Sequence, residues 1–247
     1  MKKQLLKSAL IAVAGVGLMA GSAMAFPGPA LQTVLDDITT NPIGNSSVDV
    51  TTDFVNPAID DYWAIGAGSG SVTTIVIEVA GNAGTNSFGI YDAANPSTFV
   101  EIFTGGASAG AQLTVSMLAT GEILLNGGST GKFFTNNAFG YYLATLSEGT
   151  FYSDASMNEN QIDHMYAYEG QGDTVQILPF MPGVWGQNEY ILAWEDLAST
   201  TRGYDADFND FVVMVESVTP VPEPTTMLLF GTGLLGLTAA ASRRKNS

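Results

Sequence analysis

Short runs of alternating, β-branched or aromatic residues fill the chain from Val72 onward. They cover Val72 to Ala80, Phe88 to Tyr91, Thr98 to Phe103, Gln112 to Met117, Glu122 to Leu125, Phe139 to Leu146, His164 to Tyr168, Thr174 to Leu178, Glu189 to Trp194 and Phe208 to Val218. Glycine and asparagine punctuate them, as at Gly105-Gly106 and Asn126-Gly127-Gly128, where turns need positive φ. Strands at this spacing predict an all-β fold, a single antiparallel β-sandwich of jelly-roll-like character. The stretch from Pro27 to Asp61 is less periodic, with a short helical period over Ala30 to Ile38. It reads as an edge strand or a covering segment of the same domain, and no internal repeat of convincing period emerges.

The two ends follow a different pattern. Lys2, Lys3 and Lys7 precede an apolar run from Ala9 to Ala20 and a small-residue site, Ala23-Met24-Ala25. This order predicts a signal peptide over residues 1–25, cleaved between Ala25 and Phe26. The rival, a retained membrane anchor, needs about 20 apolar residues, more than this run offers. At the other end Pro222-Glu223-Pro224 precedes an apolar stretch from Thr226 to Ala241 and the basic cluster Arg243, Arg244 and Lys245. Such charges hold that terminus in the cytoplasm while the bulk of the chain faces outward. The stretch is short and carries Gly231, Gly233 and Gly236, which predicts a temporary membrane helix rather than a permanent one. Residues 26–221 remain as the ectodomain and 222–247 as a terminal signal.

Composition narrows the chemistry. The 247 residues include no cysteine, which excludes disulfides, thiol nucleophiles and zinc-thiolate sites. From Phe26 to Glu223 there are 24 acidic residues against only Lys132 and Arg202, a net charge of −22. A nucleic-acid partner is excluded, because no basic patch can be assembled. Self-repulsion of that size disfavours a compact state unless bound divalent cations offset it. The simpler reading is that an acidic surface keeps an exported protein soluble.

The acids are densest where two predicted strands meet. Glu195 and Asp196 follow one strand, and Asp205, Asp207, Asn209 and Asp210 precede the next. Clustered hard oxygen donors are what calcium requires, at six to eight ligands. On an extended chain Asp205, Asp207 and Asn209 point to one side. The alternative is that Asp and Asn here only make turn hydrogen bonds. The glycine and distal glutamate of an EF-hand are missing. Calcium binding by this set predicts that Asp207→Ala and Asp210→Ala each remove most calcium-dependent stability, while Asp92→Ala, in a remote turn, does not.

Other candidates are weaker. Asp163 and His164, the one histidine, form a pair that reads either as a base with its orienting partner or as a strand-end histidine bonded to the acidic region. No Gly-x-Ser-x-Gly elbow accompanies it. A glycosidase needs two acids about 5 to 9.5 Å apart across a groove, a poor match to contiguous acids in one loop, so no enzymatic activity is expected. Trp63, Tyr141, Tyr142 and Trp185, if exposed, would stack on sugar rings in a carbohydrate-binding module; the alternative for each is core packing.

Two resemblances follow from these residues. The triplet Pro222, Glu223 and Pro224, the apolar stretch and the basic cluster Arg243, Arg244 and Lys245, together with a signal peptide, resemble a PEP-CTERM sorting signal. The resemblance implies export from a Gram-negative bacterium, handling by exosortase-type sorting machinery, and transient inner-membrane anchoring. It also implies a destination at the cell surface or in an extracellular matrix of exopolysaccharide and biofilm. Glu195-Asp196-Leu197 after an aromatic strand, with Asp205-x-Asp207-Phe208-Asn209-Asp210-Phe211-Val212-Val213, resembles the domain of unknown function DUF4114, with similarity extending from about Asp60 to Glu216. That resemblance implies a β-sandwich with a calcium-binding acidic loop formed by Glu195, Asp196, Asp205, Asp207, Asn209 and Asp210, and no established enzymatic activity. The chain departs from the family at Ala206, where a basic residue is frequent, and in the glycine-poor loop Ala198 to Arg202.

Overall fold

A computed structural model describes residues 27–66, 70–78 and 84–222. The predicted signal peptide with Ala25 and Phe26 lies outside the described residues, as do Glu223, Pro224, Arg243, Arg244, Lys245 and the predicted C-terminal helix. Among the described residues no helix is long and apolar enough to cross a membrane.

The chain starts with helix α1 (Pro29–Ile38) and then forms strands β1 (Thr39–Asn41), β2 (Trp63–Ile65), β3 (Ser71–Glu78), β4 (Ser87–Asp92), β5 (Asn95–Phe103), β6 (Gln112–Met117), β7 (Glu122–Leu125) and β8 (Gly128–Phe133). It continues with β9 (Phe139–Thr145), β10 (Gly149–Tyr152), β11 (Met165–Glu169), β12 (Thr174–Val175), β13 (Gly183–Val184), β14 (Glu189–Trp194), β15 (Phe211–Glu216) and β16 (Val218–Pro220). One sheet has the order β16-β2-β9-β4-β5, with β10 also paired to β9; the second runs β11-β14-β15-β3-β6-β7-β8. The described pairings are antiparallel, so the predicted sandwich is the fold.

Period-two alternation decides which side chains fill the sandwich. Trp63, Phe88, Ile90, Phe139, Tyr141 and Leu143 of the first sheet meet Met165, Ala167, Tyr190, Leu192, Trp194, Phe211, Val213 and Val215 of the second. The opposite residues of β11, β14 and β15, among them Tyr166, Tyr168, Ile191, Ala193, Val212 and Met214, form a second core with Leu31, Leu35, Val48, Val50, Trp185 and Phe208. These three strands are therefore buried on both faces. That explains why β14 and β15 read as unbroken apolar runs instead of alternating ones.

The third layer is the segment that was predicted to edge or cover the domain. Helix α1 opens with proline in its first turn and buries Leu31 and Leu35, one turn apart. Gln32 then bonds Val48 O and the Val50 amide, and the Asp173 carboxylate takes Ser46 Oγ, Ser47 N and Ser47 Oγ at 2.6 to 3.0 Å. A small sheet, β1-β12-β13, completes the cover.

Burial decides between the two readings of the aromatic residues. Trp63, Tyr141, Tyr142 and Trp185 are all buried, so none offers a ring for stacking on a sugar. The predicted strand Phe208 to Val218 is also divided. Phe208 to Asp210 are loop, and Ser217, at φ +60°, turns the chain out of β15 and across to β16 in the other sheet.

Two cross-strand glycines make room for tyrosines. Gly140 faces Tyr91, and a Cβ there would lie 2.1 Å from Tyr91 Cζ; Gly89 faces Tyr142 in the same way, with its Cβ 2.7 Å from the ring. Tyr91 is itself fully buried against Tyr62 and Tyr152. Gly140→Ala is expected to destabilise the chain by about 1–3 kcal/mol through this overpacking. Thermal melts with calcium and with chelator should show the same loss, since the pair is remote from the acidic loop.

Candidate metal centre

β14 and β15 are neighbours, with Trp194 opposite Phe211, so the residues that follow one strand face those that precede the other. Glu195 and Asp196 thereby meet Asp210, and the loop between them brings back Asp205 and Asp207. Glu195 extends the β11–β14 pairing by one step: its amide donates to His164 O at 3.1 Å, and its carbonyl lies 3.2 Å from His164 Nδ1. Thr201 Oγ1 ties the outer loop to Glu148 at 2.6 Å.

Loop conformation differs from the extended chain expected. Ala206 and Phe208 have φ of +54° and +55° and are buried, Phe208 with its ring edge-on to Tyr166. Positive φ is costly for residues other than glycine, and here packing of Phe208 into the second core holds it. Asp205, Asp207 and Asn209 still point away from that core, in line with the predicted alternation. Ala206 is an inward-facing position with room for a small side chain.

Two groups of carboxylates result. Glu195, Asp205 and Asp207 each offer an oxygen within 4.8 Å of the other two, and so do Glu195, Asp196 and Asp210. Two oxygens on one calcium, each at 2.3 to 2.6 Å, lie at most about 4.6 to 5.2 Å apart. Each group is therefore compact enough to share an ion. Asn209 donates through its backbone N and Nδ2 to the Asp207 carboxylate, at 3.2 and 2.9 Å, which is the turn chemistry of the alternative reading.

Glu195 is the pivotal residue. It is 0% exposed; Oε1 accepts a 3.3 Å bond from the Leu197 amide, and Oε2 has no donor. The Asp210 carboxyl faces it, but two ionised carboxylates have no hydrogen to share. Burial, and then the charges of Asp210 and Asp205, push Glu195 well above the usual carboxylate range. Asp210 is also raised, mainly by burial, although its Oδ2 accepts the Asp196 amide at 3.1 Å. Asp207 is raised by burial against the pull of the Asn209 bonds. Asp196 is buried and accepts from Asn86 Nδ2 at 2.9 Å, a contact 110 residues distant in sequence that no local motif signals.

His164 and Asp163 are not arranged as a catalytic dyad. The imidazole is buried, stacks on Phe151 at 4.0 Å between centroids, and is held neutral by burial, with its pKa lowered to about 4. Asp163 accepts from the Met165 amide at 3.0 Å instead of orienting the ring. His164 is the strand-end histidine of the structural reading, bonded to the backbone of the acidic loop.

Asp163 belongs to another buried acidic pair. Burial pushes it up to about 7, and burial together with the Asp163 charge raises Asp60 well above its ordinary value. An unfolded aspartate titrates near 3.9, so between roughly pH 4 and 7 the native chain binds more protons than the unfolded one. Stability therefore falls as pH rises through that window. Asp163→Asn is expected to remove the Asp163 share of this slope, leaving that of Asp60, and to stabilise the chain at pH 8 by on the order of 2–4 kcal/mol. Melts of both forms from pH 4 to 8 test it.

The structure thus defines a β-sandwich class: antiparallel sheets closed at one end by an acidic hairpin loop. Residues 108–218 match the domain of unknown function DUF4114, beginning well after Asp60, where the similarity was expected to start. Residues 220–245 match the PEP-CTERM protein-sorting motif. The chain is accordingly an exported protein with a signal for exosortase-type sorting, carrying a domain similar to DUF4114. No curated protein matches it.

Proposed function

We propose that the chain is a non-enzymatic protein of the bacterial cell surface or extracellular matrix, associated with exopolysaccharide and biofilm, whose sandwich is stabilised by calcium at the acidic loop. The observation that carries the calcium reading is Glu195, a fully buried carboxylate with one oxygen lacking a donor and four other carboxyl groups around it. Buried charge without a partner is costly, so such a group calls for either a proton or a cation. Bound calcium supplies two positive charges and takes six to eight hard oxygen ligands. Glu195, Asp205, Asp207, Asp196 and Asp210 are the residues that would hold it. Their role is mechanical: they fix the ends of β14 and β15, the strands packed on both faces.

A non-enzymatic role is supported by the same burial. Glu195, the acid of the loop with the strongly raised pKa, is sealed from solvent and out of reach of a polymeric substrate. The sorting motif and the net charge of −22 over Phe26 to Glu223 support a location where divalent cations link acidic polymers. The transient membrane helix belongs to the same proposal.

Cell fractionation tests this function. With the native tail, the chain is expected in the surface and matrix fraction and is released from it by chelator. Replacing Pro222, Glu223 and Pro224 by alanine should shift it to the membrane fraction, uncleaved. Recovery of both forms in the free medium would contradict the proposal.

A further inference from the structure

The carboxylates of the loop do not converge on one point. Among the described residues two triads are compact enough to share an ion, and Glu195 is common to both. A single dication would leave the five carboxylates with a net charge of −3, with two of them, Glu195 and Asp196, buried. Two dications would leave −1.

The second triad carries its own unsatisfied group. Asn86 is 2% exposed and donates through Nδ2 to Asp196 Oδ2 at 2.9 Å, while its Oδ1 is buried without a partner. Half a turn of the amide exchanges the two atoms. The present orientation suits a carboxylate that needs a donor. The reversed one sets Oδ1 and Asp196 Oδ2 side by side at about the spacing of two ligands on one calcium. Asn86 precedes the segment similar to DUF4114, so the family match does not include it.

We propose that the loop holds two calcium ions bridged by Glu195, one with Asp205 and Asp207, the other with Asp196, Asp210 and the amide oxygen of Asn86. This rests on the calcium reading above. Its distinct content is the count of ions and the part played by Asn86.

Native mass spectrometry of the intact chain, in micromolar calcium with excess magnesium to occupy the diffuse acidic surface, counts the tightly held ions. Wild type is expected to retain two. Asn86→Leu should retain one, with at least a tenfold loss of affinity for the second. Asn86→Asp should retain two, because a carboxylate supplies the oxygen in either orientation, whereas a residue needed only as a donor to Asp196 would not be replaced by one. One ion in wild type overturns the two-ion inference and leaves the calcium reading standing. None overturns both. Two ions in the Asn86→Leu chain remove Asn86 from the ligand set, and loss of the second ion in Asn86→Asp assigns it a donor role and does the same.

Discussion

Glu195→Gln is expected to melt above the wild-type chain in chelator and below it in calcium. The two halves of this crossing have different causes. Without calcium, the buried Glu195 carboxyl must take up a proton as the chain folds, since its native pKa lies above that of an unfolded glutamate, near 4.3. Native protein then binds more protons than unfolded protein, and stability falls as pH rises from that value through neutrality. Glutamine has no such slope, so the variant gains on the wild type as pH rises, by on the order of 1–3 kcal/mol at pH 7. With calcium present the order reverses, because the proton is replaced by an ion that glutamine binds poorly. Occupancy at about 100 times the dissociation constant adds about 2.7 kcal/mol per site, or roughly 5 to 10 °C in a domain of this size. Removing the ligand common to both triads should abolish most of that gain. A variant that melts lower than wild type in both conditions by the same amount would show that Glu195 acts only through packing.

Asp92→Ala is expected to cost about 3–5 kcal/mol, equally in calcium and in chelator. The position was expected to leave calcium-dependent stability intact, as an acid in a turn remote from the loop, and the structure adds a cost that does not depend on calcium. Asp92 is 1% exposed; Oδ1 accepts the Ala94 amide at 3.0 Å, and Oδ2 accepts the Thr135 amide and hydroxyl at 2.9 and 2.7 Å. It pins the turn between β4 and β5 to the strand connection that leads into β9. Hydrogen bonds to an ionised group contribute about 1.5–3 kcal/mol each, and alanine leaves buried donors unpaired. Melting should fall by roughly 6 to 20 °C. Asp37→Ala, on the exposed face of α1, is the appropriate silent control. If Asp92→Ala loses stability only when calcium is present, a third ion-linked region exists and the acidic loop is not the seat of the effect.

Sequence pattern went furthest where a strand answers to one rule at a time. β6, β7 and β14 begin and end where their apolar runs do. β2 and β10 were missed because three or four residues are too few for a period, and β8, Gly128–Phe133, because it is a largely exposed edge strand with little apolar pattern. The hidden feature was the third layer. Ile191 and Ala193 need a cover for their face of the sheet, but that cover comes from Leu31, Leu35 and Val48, more than 140 residues earlier. Without it the sequence leaves Trp185 open between an exposed ring and a core residue.

The acidic loop was legible as a set of carboxylates, since Glu195, Asp196, Asp205, Asp207 and Asp210 make up its two compact groups. Its geometry was not, because the chain reverses at Ala206 and Phe208 under the demands of packing. Asn209 is tied locally to Asp207 through its backbone N and Nδ2. Asn86 could not be found from sequence at all, because only the apposition of the two sheets brings it to Asp196.

The most direct test is a thermal melt of the purified chain at pH 7 and fixed ionic strength, with millimolar calcium, with the same concentration of magnesium, and with chelator. A calcium-clamped loop predicts a midpoint raised by roughly 5 to 10 °C in calcium relative to chelator and little change in magnesium. Equal midpoints in all three would contradict it, and would leave the carboxylates of Glu195 and Asp210 as a proton-sharing pair at the end of a sandwich that needs no ion.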